Sequence, residues 1–312
     1  MPLSPLFSPR RLLGATGFAA AHIGCGDLAD RAVPLEHCVA TARRALDAGL
    51  NLIDTAPAYE NGYSEEIAGR ALRESGLRPR VFLIDKVDLP DQPAEPQIDA
   101  SLRRLGLDYT DAFVIHGLST MDGWSRAAAP GGTLEQIGAA ISAGKTRFRG
   151  ISSHHPDVLA AAIPSSLVDI VLFPLGPFVD ERYFREILPL ARKHRVGTVC
   201  FKTFGAGKLL GNTEGYQKPL SGRPRGKLSS DATDAAPHDL PRLSVEECLH
   251  YTLTLDPDVA LLGLSFPDEQ DAAFAAARSF RPLGDLEMAD LRTRARAAIA
   301  GKGPCWWNPA AS

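Results

Sequence analysis

What the chain lacks narrows it first. Five of its 312 residues are cysteines (Cys25, Cys38, Cys200, Cys248, Cys305), an odd number, widely spread and without a Cys-x-x-Cys pair. That usage encodes neither a disulfide framework nor a thiolate metal or iron–sulfur site, and it suits a reducing cytoplasm. An excess of one charge is missing too: 34 basic against 37 acidic residues leave a formal net charge of -3. Such a surface has no field suited to nucleic acid or to an anionic membrane, and neither partner is expected. No apolar run of about 20 residues is present, so no membrane span is expected. Arg10-Arg11, followed by LLGATGFAAAHIG and Cys25, superficially matches a twin-arginine signal. Against that reading, Gly14, Thr16, Gly17 and His22 interrupt the apolar stretch, and Ala21, Ile23 and Cys25 can alternate inward as a first strand. Also lacking is the G-x-G-x-x-G of a doubly wound dinucleotide-binding sheet, which Ile23-Gly24-Cys25-Gly26-Asp27 does not supply.

What is present is an ordinary globular composition, 45% hydrophobic and 23% charged, long enough for one large α/β barrel or two smaller domains. The pattern along the chain chooses between them. Short apolar runs at 22–25, 52–54, 81–86, 112–116, 146–151, 170–173, 197–202 and 259–264 are each followed by a segment with helical spacing, at 34–48, from Ser64, and at 96–105, 133–143, 157–163, 181–194, 244–255 and 267–277. Eight strand-then-helix units recurring at roughly 30 residues predict a (β/α)8 TIM barrel in a single domain over 1–312. A long irregular segment at 205–242, rich in Gly, Pro, Ser and Asp, falls between the seventh strand and its helix. In a barrel that is the active-site face, and the segment is read as a lid. An extra helix is expected over 285–300, followed by Cys305-Trp306-Trp307.

The stretch GLNLIDTAPAYENGYSEEIAGRAL, from Gly49 to Leu72, carries Asp54 at a strand end and Tyr59 in the loop beyond it. Lys86 and His116 end the next two strands, after VFLID and AFVI. Singly, each has an ordinary structural reading: Asp as a turn former, a loop Tyr as packing, Lys as a snorkelling strand end, His as a backbone-bonded core residue. In a barrel, however, polar groups at the carboxyl ends of successive strands converge at one mouth, and there the four form a candidate site.

DTAPAYENGYSE, the Lys86 of FLIDKV, LRRLGLDYTDAFVIH, GKTRFRGISSHH and FKTFGAGKLL, in this order, resemble the aldo-keto reductase superfamily over almost the whole chain. The resemblance is greatest to the bacterial branch with a Gly-Gly turn after the fourth strand, here Pro130-Gly131-Gly132; the cluster cysteines many of that branch carry are absent. It implies a catalytic tetrad at Asp54, Tyr59, Lys86 and His116. It further implies an NADP(H) or NAD(H) cofactor, a small-molecule carbonyl or alcohol substrate, and a cofactor site drawn from Ser152, Ser153, Lys202, Gly205, Gly207, Lys208, Ser265 and Asp268. Two departures stand out. Leu172 and Leu175 occupy the positions expected to hold a carboxamide-binding Gln and a stacking ring, leaving His154 as a substitute contact. After the eighth strand, Asp268, Glu269 and Asp271 stand where a cation would grip a 2′-phosphate, and no Lys or Arg occurs between Arg242 and Arg278. Lysines and arginines of the long loop (Lys208, Lys218, Arg223, Arg225, Lys227) are the alternative source of charge. Phe178, Trp124, His154, Trp306 and Trp307 are candidate pocket residues. The rival expectation is a non-catalytic, nucleotide-binding regulatory barrel of the same family.

Overall fold

The computed structural model describes residues 5–26, 31–210, 241–302, 305 and 307–308. Most of the expected lid, including Lys218, Arg223, Arg225 and Lys227, lies outside the described residues, as do Asp27 and Trp306. Eight parallel strands close into a barrel: β1 Ile23–Gly26, β2 Leu52–Asp54, β3 Phe82–Val87, β4 Ala112–Ile115, β5 Phe148–Ser152, β6 Ile170–Pro174, β7 Gly197–Phe201 and β8 Val259–Gly263. They follow one another in chain order, and β8 pairs with β1 to complete the ring. Around them lie α1 Leu35–Asp47, α2 Tyr63–Ser75, α3 Ala94–Leu105, α4 Met121–Ala128, α5 Thr133–Ser142, α6 Pro156–Ala162, α7 Leu188–His194, α8 Val245–Thr254, α9 Pro267–Arg278 and α10 Asp285–Ile299. None of the described helices is long and apolar enough to cross a membrane.

The helices form because their apolar residues recur on one face and their ends are marked. In α1, Cys38, Val39, Ala42, Ala45 and Leu46 are buried against the barrel. The chain then turns at Gly49, whose φ of +98° and clearance admit no side chain, since a Cβ would meet Phe7 O at 2.1 Å. Strand side chains alternate between two cores. Outward residues such as Ile53, Leu83, Phe113 and Phe173 pack under the helices. Inward residues, among them Leu52, Phe82, Ile84, Val114, Leu172, Val199, Val259 and Leu261, fill the barrel itself. In β1 the expected inward alternation is reversed. Ile23 and Cys25 pack under the helices, while Gly24 and Gly26 stand against the interior side chains Leu52, Val259 and Leu261.

Two elements were not anticipated. A hairpin of Arg11–Leu12 with Ala19–Ala20 seats Leu13 and Phe18 in the end of the barrel opposite the strand tips, where Phe18 meets Phe82 at 5.2 Å and Phe82 stacks on Phe148. Arg10 and Arg11, the twin-arginine pair of the sequence, bind Asp256 there. The second addition is α4, in the β4-to-α5 connection, its start capped by Thr120 accepting from Gly123 N at 3.1 Å.

Candidate active site

Parallel pairing sets the height of each strand end. Asp54 aligns with Ile84 and Lys86 with Val114, so the last inward residue of β3 stands one layer above that of β2, and a lysine there reaches back over its neighbour. Lys86 Nζ donates to Asp54 Oδ2 and to the Thr55 carbonyl, each at 2.7 Å. Both charged side chains are 2% exposed. Burial disfavours the Lys86 ammonium, but Asp54 and Tyr59, acting through charge and hydrogen bonding, outweigh it, and its pKa ends above the ordinary lysine value. The ammonium also sits 4.4 Å from the centre of the Tyr59 ring.

Tyr59 is brought back over the mouth by a buckled loop. Glu60, Asn61 and Gly62 are consecutively left-handed, with φ of 50°, 52° and 83°. Two of these are not glycine, a strain of about 1–3 kcal/mol each. Arg31 holds the loop by donating to the Glu60 carbonyl at 2.7 Å and the Asn61 carbonyl at 3.1 Å. The loop's root is fixed by Thr55, whose hydroxyl bonds Ser64 at the start of α2. His116, just past β4, lies edge-on to Tyr59 with ring centres 5.6 Å apart. Its Nδ1 is bound by Asp88. The four expected residues therefore share one mouth. A cavity of about 440 Å³ opens beside His116 between the loops after β3 and β4, with Gln92, Ser119, Thr120 and Arg126 in its wall.

The residues expected to hold a cofactor divide. Ser152 is buried at the tip of β5, its hydroxyl accepting from Gly117 N at 2.8 Å. The Ser153 hydroxyl is taken up by its own turn, accepting from His155 N. Lys202, at φ +70°, lies over the Phe201 ring. Gly205, Ala206 and Gly207 are all left-handed, a tight curl in which both glycines are buried. Lys208 is buried, its ammonium 5.5 Å from the centre of the Trp307 ring, which is itself fully buried. Trp124 packs in the outer core. Ser265 and Asp268 stand at the start of α9. There Glu269 folds inward to accept from Ser265 N at 3.1 Å, and Asp271 pairs with Arg44.

Three residues at or near the site escaped the sequence. Leu172 lies within the barrel, as the register requires, but Leu175 packs in the outer core. The aromatic ring at the mouth is Phe201, inward-facing at the tip of β7 and 5.3 Å from His154; the alternation of GTVCF was the signal. A cation does stand beside the segment after β8: Arg44 of α1 pairs with Asp271 and donates to the Pro267 carbonyl at 2.7 Å. Asp88 had no signal at all. His154, at the mouth, is held neutral, its pKa lowered to about 3 by burial and then by Lys202 and His116.

Comparison with known proteins agrees with this fold. Aldo-keto reductase YhdN of Bacillus subtilis is 30% identical over 226 residues, 64% of this chain and 64% of that protein; the chain thus matches just under two thirds of that relative's length. A protein of Escherichia coli named NADH-specific methylglyoxal reductase is 27% identical over 66% of this chain and 68% of its own. The holo form of an aldo-keto reductase from Bacillus halodurans superposes with a TM-score of 0.68 at 26% identity, covering 94% of this chain and 98% of that one. The aldo/keto reductase family profile matches residues 18–281, and with a closed barrel carrying Asp54, Tyr59, Lys86 and His116 at one mouth, the chain belongs to the aldo/keto reductase family.

Proposed function

We propose that the protein is an oxidoreductase that interconverts an aldehyde or ketone with its alcohol using NADP(H) or NAD(H), with Asp54, Tyr59, Lys86 and His116 as its catalytic groups. The observation that carries this reading is the placement of the Lys86 ammonium between Asp54 and the Tyr59 ring. Two features support a dinucleotide at the mouth: Ser152 and the Phe201 ring at the tips of β5 and β7, on either side of β6, and the buried glycines of the 205–207 curl, which admit close backbone approach to a pyrophosphate. When bound, it supplies the hydride that no side chain can deliver.

The chain's own residues manage the proton and the substrate oxygen. Tyr59 holds the proton that the product oxygen receives on reduction, and takes it back on oxidation. A free phenol titrates near ~10, too high for exchange in both directions at neutral pH. Lys86, kept charged and in place by Asp54 and the Thr55 carbonyl, favours the phenolate and closes that gap. His116 hydrogen-bonds the substrate oxygen and orients it. Arg44 at the start of α9 supports recognition of an adenosine ribose or its 2′-phosphate, with Asp268 beside it. The free cysteines, four of five buried, support a cytoplasmic setting, and the closed barrel supports a single domain.

The test is a titration of the purified protein with NADPH and with NADH, followed by tryptophan fluorescence, then turnover of methylglyoxal as a probe aldehyde. Micromolar binding of either dinucleotide with turnover upholds the reading. Binding without turnover of any carbonyl probe points instead to a regulatory barrel, and no binding of either overturns the cofactor assignment.

A further inference from the structure

Asp88 stands two residues past Lys86, outside the tetrad, and its two carboxylate oxygens do different work. Oδ1 binds His116 Nδ1, and Oδ2 accepts the backbone N–H of Ala58 at 2.6 Å. Ala58 is the residue before Tyr59. One carboxylate therefore ties the loop that carries the phenol to the ring that faces it. The other ring nitrogen of His116, Nε2, has no hydrogen-bond partner among the described residues. Among the described residues, the charged and titratable groups around the ring are Asp88 from the loop after β3, Tyr59 from the loop after β2 and His154 from the loop after β5, with Lys86 behind the Tyr59 ring and Asp91 and Arg126 across the adjoining cavity.

A carboxylate can only accept, so the proton on the shared nitrogen is the ring's own. We propose that Asp88 is a positioning residue that sets which tautomer of His116 meets the substrate. This inference rests on the proposed roles of His116 and Tyr59. With Nδ1–H committed to Asp88, the neutral ring presents the Nε2 lone pair, which accepts from an alcohol O–H and repels a carbonyl oxygen. The ring donates to a carbonyl only when it holds both protons. Asp88 thereby makes carbonyl recognition depend on a second proton at His116, and alcohol recognition on its absence.

Asp88→Asn reverses this through Ala58. An amide has one oxygen and one nitrogen, and the Ala58 N–H claims the oxygen. The Asn nitrogen then faces His116 and donates to Nδ1, driving the ring proton to Nε2, where a neutral ring can serve a carbonyl. The experiment is long-range ¹H–¹⁵N spectroscopy of the full-length protein labelled at histidine, with His116→Gln to assign the signal, beside pH profiles of kcat/KM for NADPH-dependent reduction of methylglyoxal. The expected spectra show protonated Nδ1 in the neutral ring of wild type and protonated Nε2 in Asp88→Asn. The expected wild-type rate falls with rising pH, by up to tenfold per unit, with Asp88→Asn distinctly flatter; because loss of the carboxylate also changes the field at Tyr59, the slope is read together with the tautomer in the spectra. A wild-type ring protonated at Nε2, or a variant with the wild-type tautomer and slope, overturns the proposal. If Asp88→Asn does not fold, the wild-type spectrum alone decides it. If the wild type reduces no carbonyl probe, the functional reading fails while the spectra still decide the tautomer.

Discussion

Lys86 Nζ and Asp54 Oδ2 lie 2.7 Å apart with both side chains 2% exposed, inside a barrel otherwise filled by aliphatic and aromatic residues. A buried pair of this kind contributes little net stability, because desolvation offsets attraction, but removing one member strands the other. Lys86→Met should therefore lower stability by about 3–5 kcal/mol. Lys86→Met with Asp54→Leu should cost less than the two single changes added together. Urea denaturation of the three variants checks this, and simple additivity would refute the coupling.

Tyr59 is half-buried and makes its key contacts through ring and hydroxyl, not as core packing. Tyr59→Phe should preserve fold and dinucleotide affinity while lowering turnover by about 10²–10⁴, the range of a lost general acid. Retained turnover would remove Tyr59 from the mechanism.

Asp85, next to Lys86 but on the outer face of β3, is fully buried with Oδ2 lacking a partner among the described residues. Its neighbour Glu65 is held by Arg104. Burial, then the Glu65 charge, raise the Asp85 pKa well above its ordinary 3.8. A carboxyl raised in the folded state favours folding most at low pH, and that contribution is lost as pH rises through the raised value. Asp85→Asn keeps the acceptor for Lys86 N and can donate to Glu65. It should be more stable than wild type at pH 8, by about 1–3 kcal/mol, and the advantage should shrink toward pH 4. Equal stabilities at both pH values would show that the charge is compensated.

His154 titrates near 3 in the folded protein against 6.5 free. Between those values the unfolded chain binds a proton that the folded chain does not, so stability falls as pH drops from 6.5 toward 3, by up to about 1.4 kcal/mol per pH unit. His154→Phe should flatten this acid limb by up to one proton in urea melts at stepped pH. An unchanged slope would place the ring in solvent.

The eight strand–helix units, the strand tips Asp54 and Lys86, and His116 one residue beyond its strand were all legible, because alternation and helical spacing are local and a charge after an apolar run marks a tip. The two-residue strands at Arg11–Leu12 and Ala19–Ala20 were not legible, being shorter than any period can register. In β1 the period was visible but its face was not: Ile and Gly alternate, and only barrel closure shows that the interior takes the glycines. Leu175 packs in the outer core while Phe201 faces the interior for the same reason, since which face of a strand looks inward is a property of the sheet.

By itself the sequence determined the architecture and the chemical groups, because covalent order fixes which residue ends each strand and the repeat dictates how strands follow one another. Tertiary structure alone decided how those groups are paired. Asp88 meets His116 and Ala58, and Arg44 meets Asp271 across 227 positions. Such contacts arise from stagger and closure of the barrel, which bring loops of different strands to one rim and set the first helix beside the ninth, and no local pattern in the chain encodes that distance.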